Sequence, residues 1–159
     1  METKTNVMRI LDAHHVPYKS YSYIGTGAQS GTDVAMALNQ NPAQVFKTLV
    51  TVARSGRNYV FMIPVCAELD LKRAATAVGE KSVDMLKSRD LLALTGYVHG
   101  GCSPIGMKKQ FKTVVDASAQ NFDSIIFSAG RVGYQVHIAV SDLAKIVPIT
   151  FYDVCVQSN

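Results

Sequence analysis

Tryptophan is absent and aromatic residues make up only 8% of the 159-residue chain. That excludes a long stacking platform for single-stranded nucleic acid, though not a site for one terminal base. Cysteine is scarce as well: Cys66, Cys102 and Cys155 are an odd number with no CxxC or His/Cys ligand spacing. This argues against a disulfide framework and against a zinc site, and points to a reducing, cytoplasmic setting. No stretch approaches 18 uncharged apolar residues, and the opening METKTNVMRILDAHH has no apolar segment of its own. Neither a membrane span nor a signal peptide is therefore expected. The run TGYVHGGCSPIGMKK is rich in glycine, yet it contains neither GxGxxG nor GxxxxGK[ST], so the common phosphate cradles are ruled out at the level of motif.

What is present fits one folded domain spanning residues 1–159. Apolar residues are 48% and charged residues 18% of the chain, far from a disordered composition, and the length suffices to bury a core without staples. A net charge of +4 permits an anionic partner without requiring one. Val7, Met8 and Leu11, widened by Ile10, predict an amphipathic helix over residues 4–14. A short strand YKSYSY follows, then a loop GTGAQSG, then a helix TDVAMALN capped by Ser30 or Thr32. VFKTLVTVA and NYVFMIPV read as a hairpin turned by RSGRN. Asp70 is placed to cap LKRAATAVG and Gly79 to end it. A helix beginning near Ser88 leads into the glycine run. Four strands, KTVVD, DSIIFSA, YQVHIAV and ITFYDV, come after it, with a capped helical turn SDLAKIV before the last. Strands and helices mix without regular alternation, which predicts a mixed α/β domain with a substantially closed, barrel-like sheet surrounded by helices.

Several residues are candidates for chemistry, each beside a plainer reading. Strand alternation sets Lys47 on one face with Val45 and Leu49; it either meets an anion there or extends to water at a sheet edge. Glycines at 96, 100, 101 and 106 weaken the fold unless the backbone needs them. They serve either ordinary turns or the close approach of main-chain N–H groups to an anion or carbonyl oxygen. Cys102 is a nucleophile only if a base activates it, and a small apolar lining residue otherwise. His137 lies on a strand face with Gln135, where a hydrogen-bonded structural histidine is the default, and His14 and His15 end a helix. Lys108, Lys109 and Lys112, with Arg131, either flank a polyanion or form a solvated basic face.

Taken together, VFKTL at 45–49, LDLKRAA at 69–75, TGYVHGGCSPIGMKK at 95–109, VVDASA at 114–119 and DLAKI at 142–146 resemble the YbaK/EbsC family. These are free-standing aminoacyl-tRNA deacylases related to the editing domain of bacterial prolyl-tRNA synthetases. The resemblance implies trans-editing: cleavage of the ester of mischarged Cys-tRNA(Pro) or Cys-tRNA(Cys), assisted by the substrate's own thiol. No cofactor is expected, and no metal, since the sequence holds no ligand cluster. The resemblance also implies the tRNA acceptor end as partner, with prolyl-tRNA synthetase as a second, and no membrane. Lys47 matches the family's essential lysine, and Gly100 and Pro104 match its GxxxP loop, so catalysis is expected at Lys47, Gly100 and Gly101. Substrate contacts are expected at Tyr23, Cys102, Ser103, Pro104, Ser128 and Gln135. Gln135 and His137 stand where many relatives carry acidic residues, and Cys102 replaces an aliphatic residue. Which amino acid fits is left open by these departures, since apolar pockets separate small side chains by only about 1–3 kcal/mol. A deacylase for another small amino acid, or a non-catalytic module binding acceptor ends or nucleotides, shares the same residues.

Overall fold

The computed structural model describes residues 3–157. Helix α1 (Asn6–Ala13) starts where the Thr5 side chain accepts from the Met8 N–H at 3.2 Å, and it buries the expected stripe of Val7, Met8 and Leu11. Strand β1 (Lys19–Ser22) follows, then α2 (Gly31–Ala37), capped by Ser30 rather than Thr32. Strands β2 (Phe46–Ala53) and β3 (Asn58–Pro64) form the predicted hairpin, with Phe46 opposite Pro64 and Val52 opposite Asn58. Asp70 receives the N–H groups of Lys72 and Arg73 at the start of α3 (Leu71–Val78), and Gly79, at φ +71°, ends it. Next come β4 (Val83–Met85), α4 (Ser88–Thr95), β5 (Lys112–Asp116), β6 (Ser124–Ser128), β7 (Tyr134–Ala139), α5 (Val140–Ile146) and β8 (Ile149–Tyr152). Two details differ from expectation. Strand β4 has no counterpart in the sequence reading, and α5 begins at Val140 with no side-chain cap, so Ser141 is not its N-cap.

The strands form two sheets, in the orders β4-β2-β3-β5-β8 and β1-β7-β6, joined by a single parallel bridge between Val45 and Ile126. The expected barrel does not form, because no sheet closes. Both β1 and β8 are four residues long and end their sheets unpaired on one side. Closure would require further strand pairing; instead Val7, Met8 and Leu11 of α1 and Leu143 of α5 complete the core between the sheets. That main core also takes Phe46, Val50 and Met62 from the inner face of the larger sheet and Phe127 and Val136 from the smaller. A second cluster lies on the outer face, where Leu49, Phe61 and Ile63 meet Ala74 and Ala75 of α3. Among the described residues no helix is long and apolar enough to cross a membrane.

Candidate active site

The site is built on a break in the pairing of β2. Val65 N–H donates to Val45 C=O and Ala53 N–H to Arg57 C=O, both at 2.8 Å. In an antiparallel ladder these bonds alternate, so odd-numbered residues of β2 turn their main-chain groups toward β3 and even-numbered ones turn away. On that outward edge Gln44 accepts from Ile126 at 3.1 Å and Val50 accepts from Leu86 at 3.0 Å. Strand β6 covers the first point and the end of β4 the second. Thr48 falls between them, its main-chain groups on the same outward edge. Its buried Oγ1 is unpartnered.

Opposite this gap stands the glycine loop, tied at both ends. Lys108 N–H donates to Thr95 C=O at 3.0 Å, and the buried Tyr97 hydroxyl donates to Ile105 C=O. Within the loop Gly101 N–H closes a turn on Val98 C=O at 3.0 Å, with Gly100 at φ +86° as the third residue. That position of a type II turn demands positive φ. The N–H groups of Gly100 and Cys102 find no acceptor among the described residues, so main-chain donors are left unspent where the sequence placed the loop's purpose.

One cavity of about 390 Å³ joins the two elements, and Lys47, Gly100, Cys102, Tyr23, Ser128 and Gln135 all line it, along with Thr48. Three expected residues do not. Gly101 spends its N–H inside the turn, and its Cα backs onto Val132, where an added Cβ would lie 3.0 Å from the main-chain nitrogen. Ser103 is fully buried, its Oγ accepting from Ile105 N–H at 3.3 Å, and Pro104 is buried beside it. Gly101, expected to be catalytic, and Ser103 and Pro104, expected to touch substrate, thus lie outside the cavity lining and support the loop's shape. A larger hollow of about 720 Å³ between α1 and β1 shares only Tyr134 with this cavity and contains none of the expected site residues.

Lys47 is half-buried and joins none of the ion pairs among the described residues. Its ammonium is near enough to affect Cys155, whose thiol is pushed up to about 12 by burial first and Asp116 second, with Lys47 acting weakly in the opposite direction. Among the described residues no Asp or Glu lines the cavity, and Lys47 is the one permanent charge on its wall. Gln135, 5% exposed, is held by Gln40 through a 2.8 Å and a 3.4 Å bond. The sequence reading missed Gln40 and Thr48, because nothing marks a glutamine in a loop or a threonine in a strand. Arg131 stacks at 5.8 Å over the ring of Tyr134, which is part of the cavity wall. Lys108 instead donates to Ala93 C=O at the end of α4, and Lys109 lies over Phe111. His137 is engaged by Ser124 at 2.7 Å and Tyr21 at 3.2 Å, its pKa held below the ordinary value by burial and Lys19. It is a structural histidine.

Burial pushes the Cys102 thiol up to about 12, so it is protonated at any pH an ester would survive and is no ready nucleophile. Exposed Cys66 is therefore expected to react with iodoacetamide at pH 8 while Cys102 and Cys155 stay unmodified, as read by peptide mass spectrometry. Rapid labelling of Cys102 would show an activated thiolate instead.

The fold and the sequence together define an aminoacyl-tRNA editing domain. The chain belongs to that family, whose sequence profile matches residues 27–146. It is 48% identical over 139 residues to EbsC of Enterococcus faecalis, a protein named provisionally as a Cys-tRNA(Pro)/Cys-tRNA(Cys) deacylase; the match covers 87% of this chain and 85% of EbsC. Its fold is shared by a solved structure described provisionally as a trans-editing enzyme for prolyl-tRNA synthetase (TM-score 0.83, 19% identity, 98% of this chain and 100% of that one). A second, called only a hypothetical protein, gives a TM-score of 0.85 at 19% identity over 94% and 99% of the two chains.

Proposed function

We propose that this protein cleaves the aminoacyl ester of mischarged Cys-tRNA(Pro), and of Cys-tRNA(Cys), in trans. The observation that carries the reading is the single cavity in which Lys47 and the unpaired N–H groups of Gly100 and Cys102 meet. The two amides would bind the ester carbonyl oxygen as it gains negative charge, each such donor being worth about 3–4 kcal/mol in the transition state. The Lys47 ammonium would hold the terminal adenosine's phosphate or the ester itself. With the Cys102 thiol protonated, the attacking group is the substrate's own thiol, held close by the cavity wall. Its sulfur bonds to the carbonyl carbon, the bond from that carbon to the ribose oxygen breaks, and the ribose oxygen takes the thiol's proton. The free tRNA and a thiolactone of cysteine leave. Arg131, stacked on Tyr134 of the cavity wall, suits the anionic acceptor strand.

A panel of aminoacyl-tRNAs labelled in the amino acid tests this directly. Release of cysteine from tRNA(Pro) well above release of alanine, serine or proline is expected. Preferential release of alanine or serine would replace the substrate, and release of none would make the protein a binding module. Co-purification with prolyl-tRNA synthetase in the presence of tRNA(Pro) tests the trans-editing partner; absence of any association would remove the synthetase from the scheme.

A further inference from the structure

We propose that Thr48 reads the substrate's α-amine, so that the cavity accepts aminoacyl esters with a free amine and turns away N-blocked ones. This rests on the cavity being the aminoacyl site. A buried hydroxyl without a partner is destabilising, and such groups in native structures call for an explanation. Thr48 presents a buried Oγ1 without a partner, and its main-chain groups lie on the strand's outward edge, between the points that β6 and β4 cover. Three other polar side chains on the cavity wall are already engaged. Ser30 Oγ caps α2, Ser128 Oγ accepts from Gly130 N–H, and Gln135 is paired with Gln40 in both directions.

The substrate's chemistry fits what Thr48 offers. An α-amine carries donor hydrogens, and the threonine C=O and Oγ1 are acceptors. Among the described residues no carboxylate lines the cavity to do this work. The carbonyl oxygen would be taken on the opposite wall by the Gly100 and Cys102 amides, so the group is held at two points, one on each element that builds the site. An N-acyl substituent removes donor hydrogens and adds bulk at the sheet gap. Peptidyl-tRNA and formylated tRNA, which carry the same ester, would thereby be left intact.

The test uses a non-hydrolysable mimic, 3′-cysteinylamino-3′-deoxyadenosine, and its N-acetyl derivative, with binding measured by calorimetry. The wild-type protein is expected to bind the free amine at least about tenfold more tightly. Thr48→Val, which keeps the side chain's shape, should bind the free amine about tenfold more weakly and lose most of the preference, while Thr48→Ser retains it. Equal binding of the two mimics by the wild-type protein overturns the proposal without recourse to any variant, and so does a Thr48→Val protein that binds both as the wild type does. Cleavage of Cys-tRNA(Pro) is scored separately. An amine preference without cleavage sinks the deacylase reading alone, and cleavage without amine preference sinks this one alone.

Discussion

Lys47→Ala is expected to lower kcat/KM for mischarged tRNA at least about 100-fold, the scale for removing one electrostatic contact that matters most in the transition state. The melting temperature should stay within about 2 °C, because Lys47 joins no ion pair among the described residues and is only half-buried. Two features make the loss large. The cavity is lined by apolar groups such as Phe46, Leu91 and Phe127 and, among the described residues, by no carboxylate, so the ammonium acts in a poorly screened space where charge interactions are strengthened. Its substrate also brings negative charge, both on the phosphodiester and on the carbonyl oxygen during cleavage. Lys47→Arg should recover part of the activity, since the charge persists while the compact head does not. Cys102→Ser, which trades one small side chain for another, should stay within about fivefold of wild type. An active Lys47→Ala together with a dead Cys102→Ser would reverse the mechanism and make the protein thiol the nucleophile.

Local signals in the sequence translated well into local structure. The stripe of Val7, Met8 and Leu11, the Asp70 cap with its Gly79 stop and the RSGRN hairpin each depend on residues within a dozen positions of one another. What depended on distant pairing was not legible. Strand β4 is three residues, too short to show a period, and exists because Thr51–Ala53 offers it an edge. The parallel pairs β3 with β5 and β5 with β8 bring together segments with no sequence signal for each other, and so the open sheets replace the expected barrel. The site shows the same division. Lys47 and the loop stood out by residue type, and one cavity does gather six of the nine expected residues. Within the loop, however, which N–H groups are spent depends on the turn: Gly101 bonds to Val98 and Gly100 does not. Thr48 gave no sign at all, since its significance lies in what β4 and β6 fail to cover.

Gly130→Ala is the substitution expected to cost the most stability for the fewest added atoms. Gly130 sits at φ +87°, and an added Cβ would lie 2.8 Å from Val7 Cγ2 and 2.9 Å from Tyr97 Cε1. Positive φ costs an alanine about 1–2 kcal/mol, and forcing an atom into a filled core adds about 1–3 kcal/mol. Neither neighbour yields freely: Val7 is fully buried in α1, and Tyr97 is fixed by its hydroxyl on Ile105. At roughly 2–4 °C per kcal/mol for a domain of this size, the melting temperature should fall by about 5–15 °C. Gly56→Ala is the matched control, because Gly56 has φ +90° but nothing within 4 Å of its would-be Cβ. It should pay the backbone strain alone, and the difference between the two variants measures the packing. Gly130 also reaches the active site, since its N–H donates to Ser128 Oγ on the cavity wall and the following Arg131 and Val132 back the loop at Gly101. Deacylation by Gly130→Ala should therefore fall at temperatures where the protein is still folded, while Gly56→Ala keeps wild-type activity. Equal melting temperatures for the two variants would mean that the Tyr97 anchor gives way readily, and that the glycine loop is not held from this side.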